Sequence, residues 1–367
     1  MKKIITFLFL VFVPVMGQAS QALDRSLFVS VLDNPFALSD RKNIDDLIQF
    51  AHKAGITTLF VQIYRANKTW FPSKTGDQSP YLECFKRVGE DPFALLIKKA
   101  HAQGIAVHAW LNLLSLSTNN DAKMLHKYGM GILTANKTPK KVIEDYKIDN
   151  QYFLEPSDPR VHKELLRIVT EIVKRYPHLD GRLFDYIRYP DQHPTYGYSP
   201  RNMQAFKRAK AKKEIIEEDP DWKQWKRDNV TRLLRALIQR ARAIKPAIHV
   251  STTGCVSWVR AYWEALQDWP YWLNNHIVEF VTMMNYPIEL TEYQKNINVL
   301  ETKVNDFTKV NLAVGAYKFL KTPDIFKQQF LLCKKTPAKG CSVFYYGSLL
   351  ENPALADFLV EDFQASP

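Results

Sequence analysis

Short apolar runs alternate along this chain with longer stretches whose apolar residues recur at helical spacing. Leu27 to Leu32 reads as a buried strand. Ser39 or Asp40 then caps a helix carrying Ile44, Leu47, Ile48 and Ala51 on one face, and Gly55 ends it. Thr57 to Tyr64 is a second strand. Asp91-Pro92 opens a second helix, with proline in the tolerated first position, and Ile105 to Leu113 is a third strand. After a long polar insertion from Ser115 to about Gln151, Ser157-Asp158-Pro159 caps a helix bearing Leu165, Ile168, Val169, Ile172 and Val173. Leu179 to Pro190 is the fourth strand. Two basic helices follow, Arg201 to Ile216 and Trp222 to Lys245. Strands five to eight are Ala247–Thr253, Glu279–Pro287, Val310–Tyr317 and Cys341–Tyr346, and a last helix runs from Pro353 to Phe363. Regular alternation of this kind implies a parallel sheet, and eight repeats over residues 23–367 predict a single (β/α)8 TIM barrel. An open doubly wound sheet would also alternate, but no glycine-rich phosphate loop follows the first strand.

The fourth strand organises the chemistry. Leu183 and Phe184 carry it through an apolar interior, and Asp185, Tyr186, Arg188 and Tyr189 follow within a few residues. A strand that begins apolar and ends in ionisable groups delivers them to one end of the sheet, where ligands bind in parallel α/β proteins. The other strand ends contribute Asp33, Gln62, Arg65, His108, Asn112, Thr253, Asn285, Tyr286, Tyr317 and Tyr346, with Glu289 just beyond the sixth. The loops on that face are aromatic: Trp70 and Phe71 after strand two, Tyr189, Tyr196 and Tyr198 after strand four, and Trp258, Tyr262, Trp263, Trp269 and Trp272 after strand five.

Hydrolysis of a glycosidic bond needs two carboxyl groups flanking it, one to protonate the leaving oxygen and one to act as nucleophile or base. Asp185 is the first, with Arg188 beside it to stabilise its charge. Glu289, among Tyr286, Pro287 and Ile288, is the second, in a setting expected to be apolar; Glu155 and Glu264 rank behind it. Gln62, Arg65, His108, Asn112, Arg188, Asn285 and Tyr286 would bond sugar hydroxyls, and Trp70 and Trp263 would stack on sugar faces. The structural alternatives are an Asp185–Arg188 ion pair at a strand end, a core histidine at position 108 and tryptophans that pack helices.

Composition narrows the setting. Residues 1–22 begin with Lys2 and Lys3, continue through an apolar run to Met16 and end in small residues, which is the pattern of a cleaved secretory leader. The run is short for a membrane span, and no later stretch is apolar enough to be one. An exported protein, periplasmic or secreted, is expected. The net charge is +12, from 50 basic and 38 acidic residues, and removing Lys2 and Lys3 leaves +10. Export argues against nucleic acid and for anionic envelope polymers as partner, although basic helices are usually solvated faces. Cys333 and Cys341 bracket a turn and could pair; four buried thiols, with Cys84 and Cys255, is the other reading. No CxxC or HExxH spacing occurs, so no metal site is expected, and the proposed hydrolysis calls for no cofactor.

Asp180-Gly181 through Asp185-Tyr186-Ile187-Arg188-Tyr189-Pro190 resembles the fourth strand of the glycosyl hydrolase-like proteins once called domain of unknown function 187. Phe60–Arg65 with Trp70-Phe71-Pro72-Ser73 resembles their second strand and loop, Val107–Asn112 their third, and Phe153–Val161 the approach to their fourth. The resemblance implies a barrel hydrolase acting on bacterial envelope glycans, including peptidoglycan strands stripped of their peptides. Met283–Glu289 is also similar to the stretch bearing the acid glutamate in a related domain that cleaves partially deacetylated poly-N-acetylglucosamine. Asp185-Tyr186 stands where many members have Asp-Asp-Tyr, and Glu155-Pro156 where the approach often reads Asn-Pro. The expected protein is an exported glycoside hydrolase of an amino-sugar envelope polysaccharide, with an exopolysaccharide hydrolase or a non-catalytic glycan-binding barrel as the rival readings.

Overall fold

The computed structural model of the chain describes residues 23–192 and 195–365; the leader expected over residues 1–22 lies outside the described residues. Eight parallel strands close on themselves: β1 (Asp24–Val29), β2 (Thr58–Arg65), β3 (Ala106–Asn112), β4 (Gly181–Asp185), β5 (His249–Cys255), β6 (Val281–Asn285), β7 (Val310–Gly315) and β8 (Gly340–Phe344). Each pairs with its sequence neighbours, and β1 pairs with both β2 and β8, which removes the free edges of an open sheet. The (β/α)8 barrel expected from the alternation is the fold.

One principal helix follows each strand: α1 (Arg41–Lys53), α2 (Pro92–His101), α3 (Pro159–Arg175), α4 (Pro220–Ile244), α5 (Trp269–Asn274), α6 (Leu290–Glu301), α7 (Pro323–Lys334) and α8 (Pro353–Gln364). The same start recurs. Asp91, Asp158, Asp219 and Asn352 each accept a backbone N–H ahead of a proline at the first helical position, and Asp40 caps α1 through the Asn43 N–H at 2.9 Å. The side chain fills one orphan donor and the proline removes another. Asp40, not Ser39, is the cap of α1.

Element boundaries depart from the sequence pattern in informative places. β4 stops at Asp185, five residues before Pro190, because Tyr186 turns the chain with φ of +52°. The first basic helix ends at Lys210, where Ala211 also takes a left-handed conformation. The polar insertion is not a bare loop. It carries a helix, Lys123–Tyr128, and buries Leu116, Met124, Leu125, Ile132 and Leu133 in the main core.

Two cores result. Outside the barrel, aliphatic residues such as Leu27, Val29, Leu59, Val61 and Val107 pack against the helices. Inside it, Phe28, Phe60, Trp110, Leu183 and Phe280 form a separate aromatic layer joined by Phe344. Phe28 meets Phe60 at 4.9 Å and Trp110 edge-on at 5.1 Å. Cys333 on α7 and Cys341 on β8 are disulfide-bonded, with Cα atoms 6.1 Å apart, whereas Cys84 and Cys255 are buried thiols. Closing so short a loop stabilises the fold by roughly 2–3 kcal/mol. Among the described residues no helix is long and apolar enough to cross a membrane, and no group of three or more potential ligands is placed to hold a metal.

His108 lies below the aromatic layer, at the opposite end of the barrel from the strand C-termini. It pairs with Gly181 at the start of β4, where a Cβ would fall 2.4 Å from its ring, and it stacks 6.3 Å from His249. The sugar-binding role expected for it is therefore corrected: it is a core histidine. Burial lowers its pKa from 6.5 to about 4, with His249 and Lys339 acting in the same direction and Asp24 and Asp180 against it. Between those two values the unfolded chain takes up a proton that the folded chain refuses, so stability falls as pH drops from 6.5 to about 4. This one group accounts for at most about 3 kcal/mol. Denaturant unfolding of His108→Leu and wild type at pH 7, 5.5 and 4 should show a shallower acid loss in the variant; equal slopes would refute the assignment.

Candidate active site

The C-terminal strand ends form a polar arc above the aromatic layer. Ser30 Oγ and the Val31 N–H, beyond β1, donate to Gln62 Oε1 at 3.2 and 3.1 Å, and Gln62 Nε2 donates to Asn112 Oδ1 at 3.0 Å. Asn112 is level with Asp185 in the β3–β4 register. Asp185 Oδ2 accepts from Trp110 Nε1 at 3.0 Å, and its Oδ1 accepts from Thr253 Oγ at 2.6 Å and from the Tyr186 N–H at 2.7 Å. Strand alternation explains the partners. Trp110 and Asn112 both face inward from β3, and Thr253 faces inward from β5. The left-handed Tyr186 turns its own N–H back onto the carboxylate, a costly backbone state for a tyrosine of the kind that collects at functional sites.

A cleft of about 600 Å³ opens above the ends of β4, β5 and β6, lined by Tyr186, Arg188, Cys255, Arg260, Met284, Tyr286, Glu292, Asn296, Tyr317 and Lys318 among others. Arg188 does not pair with Asp185 as the sequence suggested. Its Nη1 donates to Asp191 at 3.0 Å, and its guanidinium lies 4.9 Å over the Tyr186 ring. Burial works against the Arg188 charge, but Cys255, Asp191, Tyr186 and Asp185 outweigh it and hold the guanidinium protonated. Asp191 also pairs with Arg260. Burial there favours the neutral acid, and the two arginines overcome it and lower the Asp191 carboxyl. Two arginines and Lys318 against Asp191 and the outer Glu292 leave the wall near Asp185 cationic. Tyr286 stacks on Phe344 at 5.3 Å, and desolvation, with Tyr317 and Asp185 adding, pushes its phenol well above its ordinary value, so it remains a donor.

The structure brings Asp185, Gln62, Asn112, Arg188 and Tyr286 to this one end; Arg188 and Tyr286 line the cleft, while Asp185, Gln62 and Asn112 are buried at the strand ends and are not among its lining residues. Arg65 is at the rim, with Nη2 3.4 Å from Ser117 Oγ. Asn285 faces outward: it donates to the Tyr293 carbonyl and accepts from Asn296, which fastens β6 to α6. Trp70 packs edge-on against Phe36 at 6.2 Å, and Trp263 lies on the flank against Arg227 and Lys223. Trp269 and Trp272 are buried, as packing tryptophans.

Glu289 is exposed at the N-terminal boundary of α6, outside the cleft lining, and so lacks the apolar setting expected for it. Glu292, one turn further along, lines the cleft together with Asn296. Glu155 is fully buried and accepts from the Tyr189 hydroxyl at 2.5 Å, Ser157 Oγ at 3.0 Å and Thr134 Oγ at 3.0 Å, tying the insertion to the loop after β4. Asp33 closes the turn after β1 on the Ser30 N–H, and burial pushes its carboxyl up to about 8 against the Ser30 and Gly347 N–H groups.

Sequence reasoning passed over Trp110 as the partner of Asp185, and Arg260, Glu292 and Lys318 as cleft residues. The period-two alternation His108, Trp110, Asn112 could have put Trp110 inside the barrel. Nothing in local sequence singles out the other three.

A (β/α)8 barrel with a carboxylate held at the end of its fourth strand, beneath a polar and aromatic cleft, is the architecture of the glycoside hydrolase class. The chain belongs to the family described as Glycosyl hydrolase-like 10, which matches residues 25–330. It is 22% identical over 262 residues to the glycosyl hydrolase DigH of Escherichia coli K12, covering 66% of this chain and 57% of that protein. It is 25% identical over 361 residues to the glycosyl hydrolase YngK of Bacillus subtilis 168, covering 88% of this chain and 66% of that one. The chain thus spans under two thirds of the length of either relative. The catalytic domain of β-amylase from Paenibacillus polymyxa superposes with a TM-score of 0.59 at 10% identity, covering 95% of this chain and 100% of the domain. A β-galactosidase from Marinomonas ef1 also gives 0.59 at 10% identity, covering 93% of this chain and 59% of the other. At those identities the likeness is one of fold.

Trp110→Phe and Thr253→Val each delete one donor to Asp185; the second keeps the side-chain volume, and the first keeps an aromatic ring of smaller size in the layer. A hydrogen bond to a charged group contributes about 1.5–3 kcal/mol. Each variant should therefore lose roughly 10- to 100-fold in kcat, with KM little changed, in steady-state assays of glycan cleavage on protein of native circular dichroism. Undiminished turnover in both would show that the carboxylate does not depend on these donors.

Proposed function

We propose that the chain is an exported glycoside hydrolase that cleaves an amino-sugar envelope polysaccharide, in particular peptidoglycan glycan strands freed of their peptides. The observation that carries this is the Asp185 carboxylate, fixed by three donors under a cleft whose wall is cationic. A neutral glycan would not need Arg188, Arg260 and Lys318 together. Removing the peptide from a muramic acid residue exposes a carboxylate, and planar guanidinium groups match that anion. Family membership supports the reaction class.

In this reading Asp185 acts on the anomeric carbon, as nucleophile or as the charge that stabilises the oxocarbenium-like transition state. Its oxygens are already oriented by Trp110, Thr253 and the Tyr186 N–H, so little reorganisation accompanies the reaction. The acid that protonates the leaving oxygen is Glu292 rather than Glu289, because Glu292 lines the cleft. Gln62, Asn112 and Tyr286 hold hydroxyl groups of the sugar.

Asp185→Asn should abolish turnover while binding and folding persist. Glu292→Gln should slow cleavage about 10²–10⁴-fold. Glu289→Gln should stay close to wild type. Products from purified strands, intact and peptide-free, are read by mass spectrometry. Near-native activity of folded Asp185→Asn defeats the central claim. Loss in Glu289→Gln with none in Glu292→Gln returns the acid to Glu289. Binding without new reducing ends supports a non-catalytic glycan-binding barrel.

Export rests on the leader pattern of residues 1–22 and is supported by the Cys333–Cys341 disulfide, which suits an oxidising compartment. Mass measurement of the protein from its native host should find the chain starting after Ala19 or Ala22; an intact Met1 start would overturn it.

A further inference from the structure

The two basic helices noted in the sequence are not absorbed by the cleft. Pro200–Lys210 and α4 pack beside α3 on the flank of the barrel, and a groove of about 580 Å³ runs between them. Arg201, Arg208 and Arg232 line it, with Trp225, Asn202 and Asn229, and no carboxylate is among the described lining residues. Arg208 and Arg232 have no carboxylate oxygen within 4.0 Å among the described residues. Arg201 has only Asp158 at 3.7 Å, which Arg160 already holds at 2.7 Å. The groove is also fixed in place. Trp225 Nε1 donates to Asn202 Oδ1 at 2.8 Å, and the Arg232 guanidinium is anchored on Asn229 Oδ1 at 2.6 Å, lying 5.7 Å from the Trp225 ring.

Two further grooves adjoin it. Pro159 is shared with one of about 790 Å³ where Lys163 and Arg240 stand with Glu164 and Glu171, and Arg232 is shared with one of about 590 Å³ where Arg235 and Tyr271 stand with Asp228 and Asp268. Each is the size of a small-ligand site. Because the helices run against the strands, the N-terminus of α3 at Pro159 puts this track beside the same end of the barrel as the catalytic cleft.

In the central groove three arginines face one another with no carboxylate among the described lining residues, and such like charges repel one another unless an anion occupies the groove. A linear occupant seated there can extend into the adjoining grooves, where basic residues still outnumber the carboxylates. Arginines recognise carboxylates, and aromatic rings with amides between them recognise sugar faces and hydroxyls. We infer that this flank is a binding track for a carboxylate-bearing polysaccharide, separate from the cleft, that holds the polymer alongside the barrel. A bilayer surface fits less well, since the cations line grooves rather than a convex face. The inference stands whether or not the cleft reading holds, because it concerns binding alone.

The test compares the full mature chain with Arg201→Gln/Arg208→Gln/Arg232→Gln and with a control of equal charge loss on the opposite flank, Lys53→Gln/Lys321→Gln/Lys335→Gln. Binding to polygalacturonate, dextran and vesicles containing phosphatidylglycerol is measured by calorimetry or sedimentation over a range of salt. Wild type and control should bind polygalacturonate and ignore dextran, and the arginine variant should bind about tenfold more weakly, with a smaller salt dependence. Cleavage of a short glycan should be unchanged in it. If the triple variant does not fold, the single reversal Arg208→Glu, at an exposed position, carries the same expectation of weakened binding. Equal weakening in variant and control, binding of dextran as strong as of polygalacturonate, or binding of vesicles but not of polygalacturonate would each overturn the track.

Discussion

The carboxylate of Asp185 ties three adjacent strands together. It accepts from Trp110 on β3, Thr253 on β5 and the N–H of Tyr186 at the end of its own strand. A buried carboxylate without donors would be costly, so this arrangement requires each donor to hold its position. Trp110 can do so because its ring is locked edge-on against Phe28 and Phe344 in the layer below. The aromatic filling of the barrel is therefore the support of the polar floor, and weakening either one loosens the other.

The chain's positive charge is organised at two levels. Near Asp185, Arg188 and Arg260 converge on Asp191, and the arrangement keeps two guanidinium groups in place with only one of their charges offset. On the flank, Arg208 and Arg232 have no carboxylate partner among the described residues, while the carboxylates nearby are engaged elsewhere: Asp158 by Arg160, and Glu164 by Lys127 and Arg167. The two levels use different residues, at the strand ends and on the flank, and the proposed preference for an anionic polymer rests on both. The buried Glu155 serves another purpose. By gathering Tyr189, Ser157 and Thr134, it fixes the insertion against the loop that carries Arg188.

Much of the architecture is legible in the sequence. The alternation of apolar runs with helical periodicity, and the repeated Asp/Asn-Pro helix starts, are local signals, and they determine eight strand–helix units in order. The position of Asp185 at a strand end also follows, because a strand that becomes polar at its last residue must deliver that residue to the rim. Cys333 and Cys341 were candidates for pairing by proximity in sequence alone.

The tertiary structure decided which way each end residue faces and what it meets. A strand boundary error of one residue exchanges inside for outside, so Asn285 could be read as a ligand when it faces α6. His108 is correctly on β3, yet too near the strand start to reach the C-terminal end. Glu289 and Glu292 share a loop and a helix start in sequence, and both are exposed; only the path of α6 places Glu292, paired with Lys295, on the cleft rim. Arg188 is next to Asp185 in the chain, but the left-handed turn at Tyr186 directs it to Asp191. The sequence by itself determined the order of elements and the chemistry available at the strand ends, since those depend on near neighbours. The choice of carboxylate partners needed the closed barrel, because residues from β3, β4, β5 and α6 become neighbours only once the sheet closes.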